Sequence, residues 1–309
     1  MTVAECAAAL RAADDVLLLT HARPDGDTLG SAAALCAALR RLGKRAALYP
    51  NPEITKTYRA LTAPYLGDGT ETFTVSVDVA GETLFPRGFQ GAVALAIDHH
   101  PGNTGFAAQT LLYAEKASCG EIVMEVIETL CGDLTAEEAN LLYAAVSTDC
   151  GCFCYANTTA ETLRAAAHLL DCGADNHRLN KLLFRACRLS RLKLEGMIFS
   201  DLRSRHDGKI NIAVVTQEMM ARAGATEDDC DDLASLAGKV AGNVVAITVR
   251  ELAPGRSRAS VRTDGSVDAN AVCARFGGGG HKMASGCTAA LAPEALAEQI
   301  CAAVEEQMT

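Results

Sequence analysis

Four apolar runs in the first half of the chain stop at carboxylate or imidazole side chains, and this recurrence narrows the folds open to it. Residues 16–20 (VLLLT) run straight into HARPDGD. From 28 to 41 the apolar spacing turns helical through Leu29, Ala32, Ala33, Leu35, Cys36 and Leu39. Gly43 closes that helix, and residues 45–49 follow as a short strand. Strand, loop, helix, strand is the opening of a parallel α/β sheet. Residues 73–77 end at Asp78, 92–97 end in Asp98-His99-His100, and the run 141–146 leads through Ser147 and Thr148 to Asp149. Parallel sheets place their sites at the carboxyl ends of strands, so these side chains are expected to converge.

His21, Asp25, Asp27, Asp78, His99 and Asp149 are more ligands than one small divalent ion takes from a protein. They suit two ions about 3.5–4 Å apart sharing a carboxylate, a pair that activates water and stabilises charge on a phosphoryl group. Carboxylates with imidazoles fit Mn²⁺, Mg²⁺, Co²⁺ or Zn²⁺, and no CxxC pair points to a thiolate site. Burying so many carboxylates without metal is costly through like-charge repulsion, which argues against a purely structural role.

Further along, 118–130 is helical, Thr135 with Glu138 forms a capping box for the next helix, and Thr158 with Glu161 is expected to repeat it, with Gly173 as a stop. The stretch 177–193 is basic in an acidic protein. Arg178, Lys181, Arg185 and Arg188 are spaced to share one helical face, either a solvated face or a positive wall beside a phosphate site. The division is therefore a first domain over 1–180, a linker helix over 181–194 and a smaller α/β domain over 195–309. Strands are expected there at 196–199, 209–216, 243–250 and 258–262, a helical span at 226–239, and a terminal helix from Pro293. The run 277–280 is four glycines, costly in backbone entropy, and is explained by close approach to an anion or by a flexible surface loop.

Composition bounds the function. Of 309 residues, 49% are hydrophobic and 21% charged, which excludes a disordered chain and leaves room for two domains. A net charge of −10 gives no cationic track for long nucleic acid, and aromatic residues for base stacking are few, at 5% with no Trp. The N-terminus lacks the pattern of a secretory signal, and no run approaches the length of a membrane span. Thirteen cysteines, an odd number scattered through helical runs as well as loops, read as reduced thiols. A cytoplasmic protein with no membrane association is expected.

HxxPDxDxxGS (His21, Pro24, Asp25, Asp27, Gly30, Ser31), the strand-end Asp78, DHH (98–100) and TDxGxF…NTT (Thr148, Asp149, Gly151, Phe153, Asn157, Thr158, Thr159) resemble the four motifs of DHH phosphoesterases. FGGGGHKMASG (276–286) resembles the glycine-rich motif of the DHH-associated domain, DHHA1. The resemblance covers essentially the whole chain. In length it fits the stand-alone nanoRNase and pAp-phosphatase branch better than longer exonucleases or membrane-anchored cyclic-dinucleotide phosphodiesterases.

The resemblance implies a parallel-sheet DHH domain joined by a helical linker to a smaller DHHA1 domain, with the active site in the cleft between them. It implies two divalent ions, Mn²⁺ foremost with Mg²⁺ or Co²⁺ as substitutes. His21 and Asp25 would hold the first, Asp27, His99 and Asp149 the second, and Asp78 would bridge. Asp98 would orient a ligand histidine, and His100 would touch the scissile phosphate or protonate the leaving oxygen. Arg262 and His281 would grip a terminal phosphate, with the amides of Gly278, Gly279 and Gly280 in an anion-binding nest that begins at Gly277.

The implied activity is hydrolysis of oligoribonucleotides of about two to five nucleotides to mononucleotides, together with removal of the 3′-phosphate of adenosine 3′,5′-bisphosphate. Alternatives are a phosphodiesterase for linear or cyclic dinucleotides such as pApA or cyclic di-AMP, a manganese-dependent inorganic pyrophosphatase, and a non-catalytic nucleotide-binding protein. A homodimer is left open. Two departures stand out: Cys150 where the family often has Thr, and Cys152 and Cys154 where it often has an arginine. In strand geometry the three cysteines would face one way, read either as plain packing beside a helix or as a thiol-lined wall.

Overall fold

The first apolar run becomes β1 (Asp15–Leu19), buried from Val16 onward, after an N-terminal helix α1 (Val3–Ala12) whose Thr2 and Glu5 close a capping box. It feeds α2 (Gly26–Arg41), then β2 (Arg45–Leu48), α3 (Lys56–Thr62), β3 (Phe73–Val77), β4 (Leu95–Asp98) and β5 (Gln109–Leu112). The computed structural model describes residues 1–230 and 233–308. All five strands pair in parallel in the order β2-β1-β3-β4-β5. Helices α4 (Cys119–Cys131), α5 (Ala136–Asp149) and α6 (Ala160–Asp171) complete this part, with Gly132 in the left-handed conformation that ends α4.

Helices α2, α4 and α5 pack unusually close, and the sequence supplies the reason. A Cβ at Gly26 would lie 2.3 Å from the Thr148 hydroxyl, and one at Gly30 would lie 2.5 Å from the Leu141 carbonyl. Only glycine permits that approach, and it brings the first turn of α2 against the last turn of α5.

The chain divides into two units, Met1–Ala186 and Cys187–Thr309. The stretch expected as one linker helix is broken. After α7 (Asn176–Asn180) comes a π-helical turn, Lys181–Arg185, and Ala186 is extended. Arg188 is then the N-cap of α8 (Leu189–Ser200), so it leaves the face expected for it and pairs with Asp229 at 3.4 Å.

The second unit holds β6 (Arg203–Arg205), β7 (Ile210–Val215), α9 (Gln217–Ala223), β8 (Val245–Ala253), β9 (Arg256–Thr263), α10 (Ala269–Ala274), β10 (Gly279–Gly280), β11 (Ala284–Ala289) and α11 (Pro293–Met308). Its sheet runs β10-β11-β9-β8-β7-β6, parallel only at β7–β8. Ile210, Ile212, Val245, Ile247, Val249 and Val261 on one side meet Leu296, Ile300 and Val304 of α11 in a fully buried cluster.

Four expectations are corrected. Residues 196–199 lie in α8, because Leu194 and Ile198 bury at helical spacing. The second capping box is Thr159 with Thr162, one residue later than Thr158 with Glu161. The span 226–239 contains short 3-10 turns at Glu227–Asp229 and Leu233–Lys239, while residues 231–232 lie outside the described residues. Gly279 and Gly280 are part of a strand, paired with Gly286 and Ser285. Among the described residues no helix is long and apolar enough to cross a membrane.

Candidate metal centre

Each motif side chain of the first unit is fixed by a local device. Asp25 is the N-cap of α2, its Oδ1 accepting from the amides of Asp27 (3.0 Å) and Thr28 (3.2 Å). Asp27, the second residue of α2, is fully buried. Its Oδ1 accepts from Ser31 Oγ (3.1 Å) and the Gly120 amide (2.9 Å), and its Oδ2 from the Cys119 amide (2.7 Å). The carboxylate thus sits on the positive N-terminus of α4. Thr28 donates through Oγ1 to the Val77 carbonyl at 2.7 Å and ties α2 to the end of β3.

Asp78 follows β3 with φ 61°, a left-handed backbone uncommon for a residue other than glycine. The turn aims its buried carboxylate at three histidines. Oδ2 lies 3.9 Å from His21 Nε2, and Oδ1 lies 3.4 Å from His99 Nε2 and 3.5 Å from His100 Nδ1. His21 Nε2 is also 3.6 Å from Asp25 Oδ1. His99 Nε2 is 3.8 Å from both Asp27 Oδ2 and Asp149 Oδ2.

Three ligand groups result: His21, Asp25 and Asp78; Asp27, His99 and Asp149; and Asp78, His99 and His100. Asp78 belongs to two of them and is placed to be shared. Asp78 Oδ1 and His99 Nε2 are buried yet have no hydrogen-bond partner. Unsatisfied buried polar atoms are costly, and a divalent cation between them would satisfy both. The donor set, carboxylates with imidazoles, therefore fits two divalent ions.

The electrostatics agree. Burial, joined by repulsion from Asp78 and Asp149, pushes the Asp27 carboxyl well above its usual range. Burial likewise raises Asp149, to about 6. For His99, burial opposes the charge, but Asp78, Asp27 and Asp149 prevail and lift the imidazole to about 10. His21 is also raised, by Asp25 and Asp78 against burial. The cluster holds protons that a cation would displace.

The two neighbouring histidines have different supports. His99 Nδ1 meets the Lys116 carbonyl at 3.1 Å, an acceptor that assigns the proton to Nδ1 and leaves Nε2 free for a metal. His100 Nδ1 meets Asp98 Oδ1 at 2.8 Å. Asp98 is fully buried and also accepts from Asn103 Nδ2 (2.6 Å) and from the His99 amide (2.9 Å). Burial raises its pKa, but His100 and Asn103 outweigh that and hold Asp98 below the usual range. Asp98 in turn raises His100. Asp98 therefore orients His100, whereas the histidine placed for metal, His99, is oriented by a backbone carbonyl.

Asp149 ends α5, the helix capped by Thr135 and Glu138, and so does not share the strand-end setting in which it was grouped with the other three motifs. A carboxylate at a helix C-terminus opposes the dipole there, so its position is unfavourable without a nearby cation. The turn beyond it removes the shared face on which a thiol wall would depend: Cys150 is buried, Cys152 half-buried with φ 54°, and Cys154 exposed.

In the second unit Arg262 lies on β9 opposite Ala284, and His281 and Ala284 bond each other's backbone across a tight turn. Both Arg262 and His281 are exposed. The expected nest is largely spent internally. The amides of Gly277, Gly278 and Gly280 donate to the Ala274 carbonyl, the Cys273 carbonyl and Asn270 Oδ1. Gly278 is pressed onto β11, where a Cβ would come 2.2 Å from the Gly286 carbonyl.

Sequence reasoning missed Asn103, the Lys116 carbonyl and the α4 amides. Ser31 stood in the first motif without a role. Asn103 follows DHH by three residues with no pattern to mark it, and backbone donors and acceptors carry no signal in the residue letters.

A parallel α/β unit with an Asp/His centre at its strand ends, followed by a second α/β unit, defines a DHH-type phosphoesterase. The chain belongs to that family: residues 15–146 match the DHH family N-terminal domain, and residues 208–309 match the DHHA1 domain. It is 32% identical over 300 residues to the bifunctional oligoribonuclease and PAP phosphatase NrnA of Thermus thermophilus, covering 95% of this chain and 90% of the relative. The Bacillus subtilis protein of the same name is 25% identical, covering 89% of each chain. Among solved structures, an exopolyphosphatase-related protein from Bacteroides fragilis shares the fold, with a TM-score of 0.88 and 21% identity over 98% of this chain and 95% of that one.

Proposed function

We propose that this phosphoesterase hydrolyses short oligoribonucleotides, of about two to five nucleotides, to mononucleotides and removes the 3′-phosphate of adenosine 3′,5′-bisphosphate. The observation that carries the reading is the sharing of Asp78 between two ligand groups, with its Oδ1 and His99 Nε2 buried and unsatisfied. The relatives named above bear these two activities in their names.

His21 and Asp25 would hold one ion and Asp27, His99 and Asp149 the other, with Asp78 as the shared ligand. Mn²⁺ is the proposed ion, with Mg²⁺ or Co²⁺ as substitutes, because hard oxygen donors are mixed here with imidazoles. Bound metal supplies Lewis acidity toward a phosphoryl oxygen and makes water a competent nucleophile near neutral pH. His100 keeps one proton on Nδ1, donated to Asp98, and delivers the Nε2 proton of its imidazolium to the leaving oxygen. Arg262 and His281 of the second unit, both exposed, would grip a terminal phosphate or the 3′ end of a substrate through their side chains. The net charge of −10 favours small anions drawn in by metal over long polymers. Free thiols at all thirteen cysteines suit the reducing cytoplasm proposed as its location.

The test is product analysis with Mn²⁺ on end-labelled RNA from two to twenty-four nucleotides, with adenosine 3′,5′-bisphosphate, pApA, cyclic di-AMP and pyrophosphate alongside. Release of mononucleotides from the shortest RNAs together with phosphate from the bisphosphate is expected. Dominant cleavage of the cyclic compound, or of pyrophosphate alone, overturns the reading.

A further inference from the structure

Asp149 hands the chain directly into a turn that is costly to make. Gly151 (φ 53°), Cys152 (φ 54°) and Phe153 (φ 65°) stand consecutively in the left-handed region, where a cysteine and a phenylalanine are strained. The surroundings enforce it. The Cys152 amide donates to the Ser147 carbonyl at 2.7 Å, and the Cys154 and Tyr155 amides donate to the Cys150 carbonyl at 3.0 and 3.1 Å. Asn157 Nδ2 reaches the carbonyls of Asp149 and Ala117, both at 3.2 Å. The Phe153 ring packs edge-on against Tyr143, with centroids 6.0 Å apart.

The product of this rigid turn is an uncovered aromatic ring. Tyr155 is 61% exposed, the most exposed aromatic side chain among the described residues. Its ring lies against Gly151, where a Cβ would come within 2.4 Å of Cε1 and Cζ and 2.6 Å of Cε2. Glycine at 151 is thus favoured by its φ and required by the ring above it. Folding gains nothing from leaving a tyrosine open on a strained turn next to a metal-centre carboxylate. Between Asp149 and Thr158 the chain has no charged side chain, so this turn has no ionic grip to offer a phosphate. What it presents to a substrate is a flat π-face.

We propose that Tyr155 is a stacking platform for a nucleobase of the substrate, giving the centre its preference for nucleotides over other phosphoesters. The proposal rests on the phosphoesterase reading above and adds the group that recognises the base. Stacking on an aromatic ring tolerates any base, because every base has a π-face, and this suits an enzyme that degrades mixed sequences.

The experiment compares wild type, Tyr155→Ala and Tyr155→Phe on adenosine 3′,5′-bisphosphate and on its abasic counterpart, ribose 3,5-bisphosphate, with Mn²⁺. For Tyr155→Ala we expect KM to rise about 5- to 100-fold on the nucleotide, the range of one lost stack. Its kcat should stay within about twofold and its KM on the abasic compound should not change, while Tyr155→Phe behaves as wild type. Equal losses on both substrates, or no loss on either, overturn the proposal. Equilibrium dialysis of AMP with each Mn²⁺-loaded protein decides the matter independently of turnover. If wild type hydrolyses no phosphoester, the phosphoesterase reading fails; AMP binding equally well to wild type and Tyr155→Ala ends the stacking proposal in either case.

Discussion

His99 Nε2 lies 3.4 Å from Asp78 Oδ1, and neither buried atom has a hydrogen-bond partner. Two complementary groups held this close without bonding mark a position kept for a cation, and the surrounding carboxylates set how the protein responds to one.

Asp78→Asn removes the shared ligand while suiting the left-handed backbone, which asparagine tolerates. Activity should fall below detection. The metal-free variant should melt at or above the wild-type temperature, because one member of a repelling carboxylate cluster is gone. Thermal melts with and without Mn²⁺ check this: wild type should gain stability with the ion and the variant little or none. A variant that still gained fully would remove Asp78 from the site.

Metal-free protein should lose stability as pH rises. Asp149 is raised to about 6 from the ordinary 3.8 of an aspartate, so the folded state binds the extra proton between those values. His99 is raised to about 10 from 6.5, so its contribution is complete below 6.5 and disappears as pH passes 10. In both windows the folded state binds more protons than the unfolded one, and stability declines with pH. An ion replaces those protons, so stabilisation by saturating Mn²⁺ should be larger at pH 8 than at pH 6. Melting curves across that range, at fixed ionic strength, measure it.

Asn103→Ala withdraws a hydrogen bond of 2.6 Å from Asp98 and loosens the support of His100. Outer partners of this kind are worth about 10- to 100-fold in activity. We expect a kcat loss in that range with Mn²⁺ binding unchanged, measured by steady-state kinetics beside a metal titration. Equal loss of metal affinity would place Asn103 with the ligands and not with the acid.

Gly30→Ala inserts a methyl 2.5 Å from the Leu141 carbonyl and 3.0 Å from Ala145. Overpacking of this sort costs about 1–3 kcal/mol. Since the same contact brings Asp27 toward Asp149, Mn²⁺ affinity should weaken along with the denaturant midpoint. A variant destabilised but unchanged in metal affinity would show that the helix contact does not position the centre.

Much of this was legible in the letters. Residues 16–49 declare strand, loop, helix and strand because an apolar run, an N-cap aspartate and helical spacing follow in order. Asp78 and Asp98 stand where strands end, as parallel sheets require. The capping box at Thr135 and Glu138 announced the helix before Asp149, yet the run LLYAAV also invited grouping with the strand ends, because buried helices and strands share a continuously apolar pattern. Residues 196–199 failed for the same reason. The glycine run looked free to bind an anion because hydrogen bonds from its own amides to Ala274, Cys273 and Asn270 depend on tertiary neighbours. The left-handed turn at 151–153 was invisible, since cysteine and phenylalanine do not advertise positive φ.

The supports of Asp27 and His99 make the two halves of the centre unequally stiff. Asp27 is clamped by Ser31, Cys119 and Gly120, and the His99 ring is fixed by the Lys116 carbonyl, before any ion arrives. The His21 ring faces Asp25 and Asp78, at 3.6 and 3.9 Å, beyond hydrogen-bond length. An ion held with His21 would therefore settle that ring as it binds, whereas Asp27 and His99 need no such adjustment.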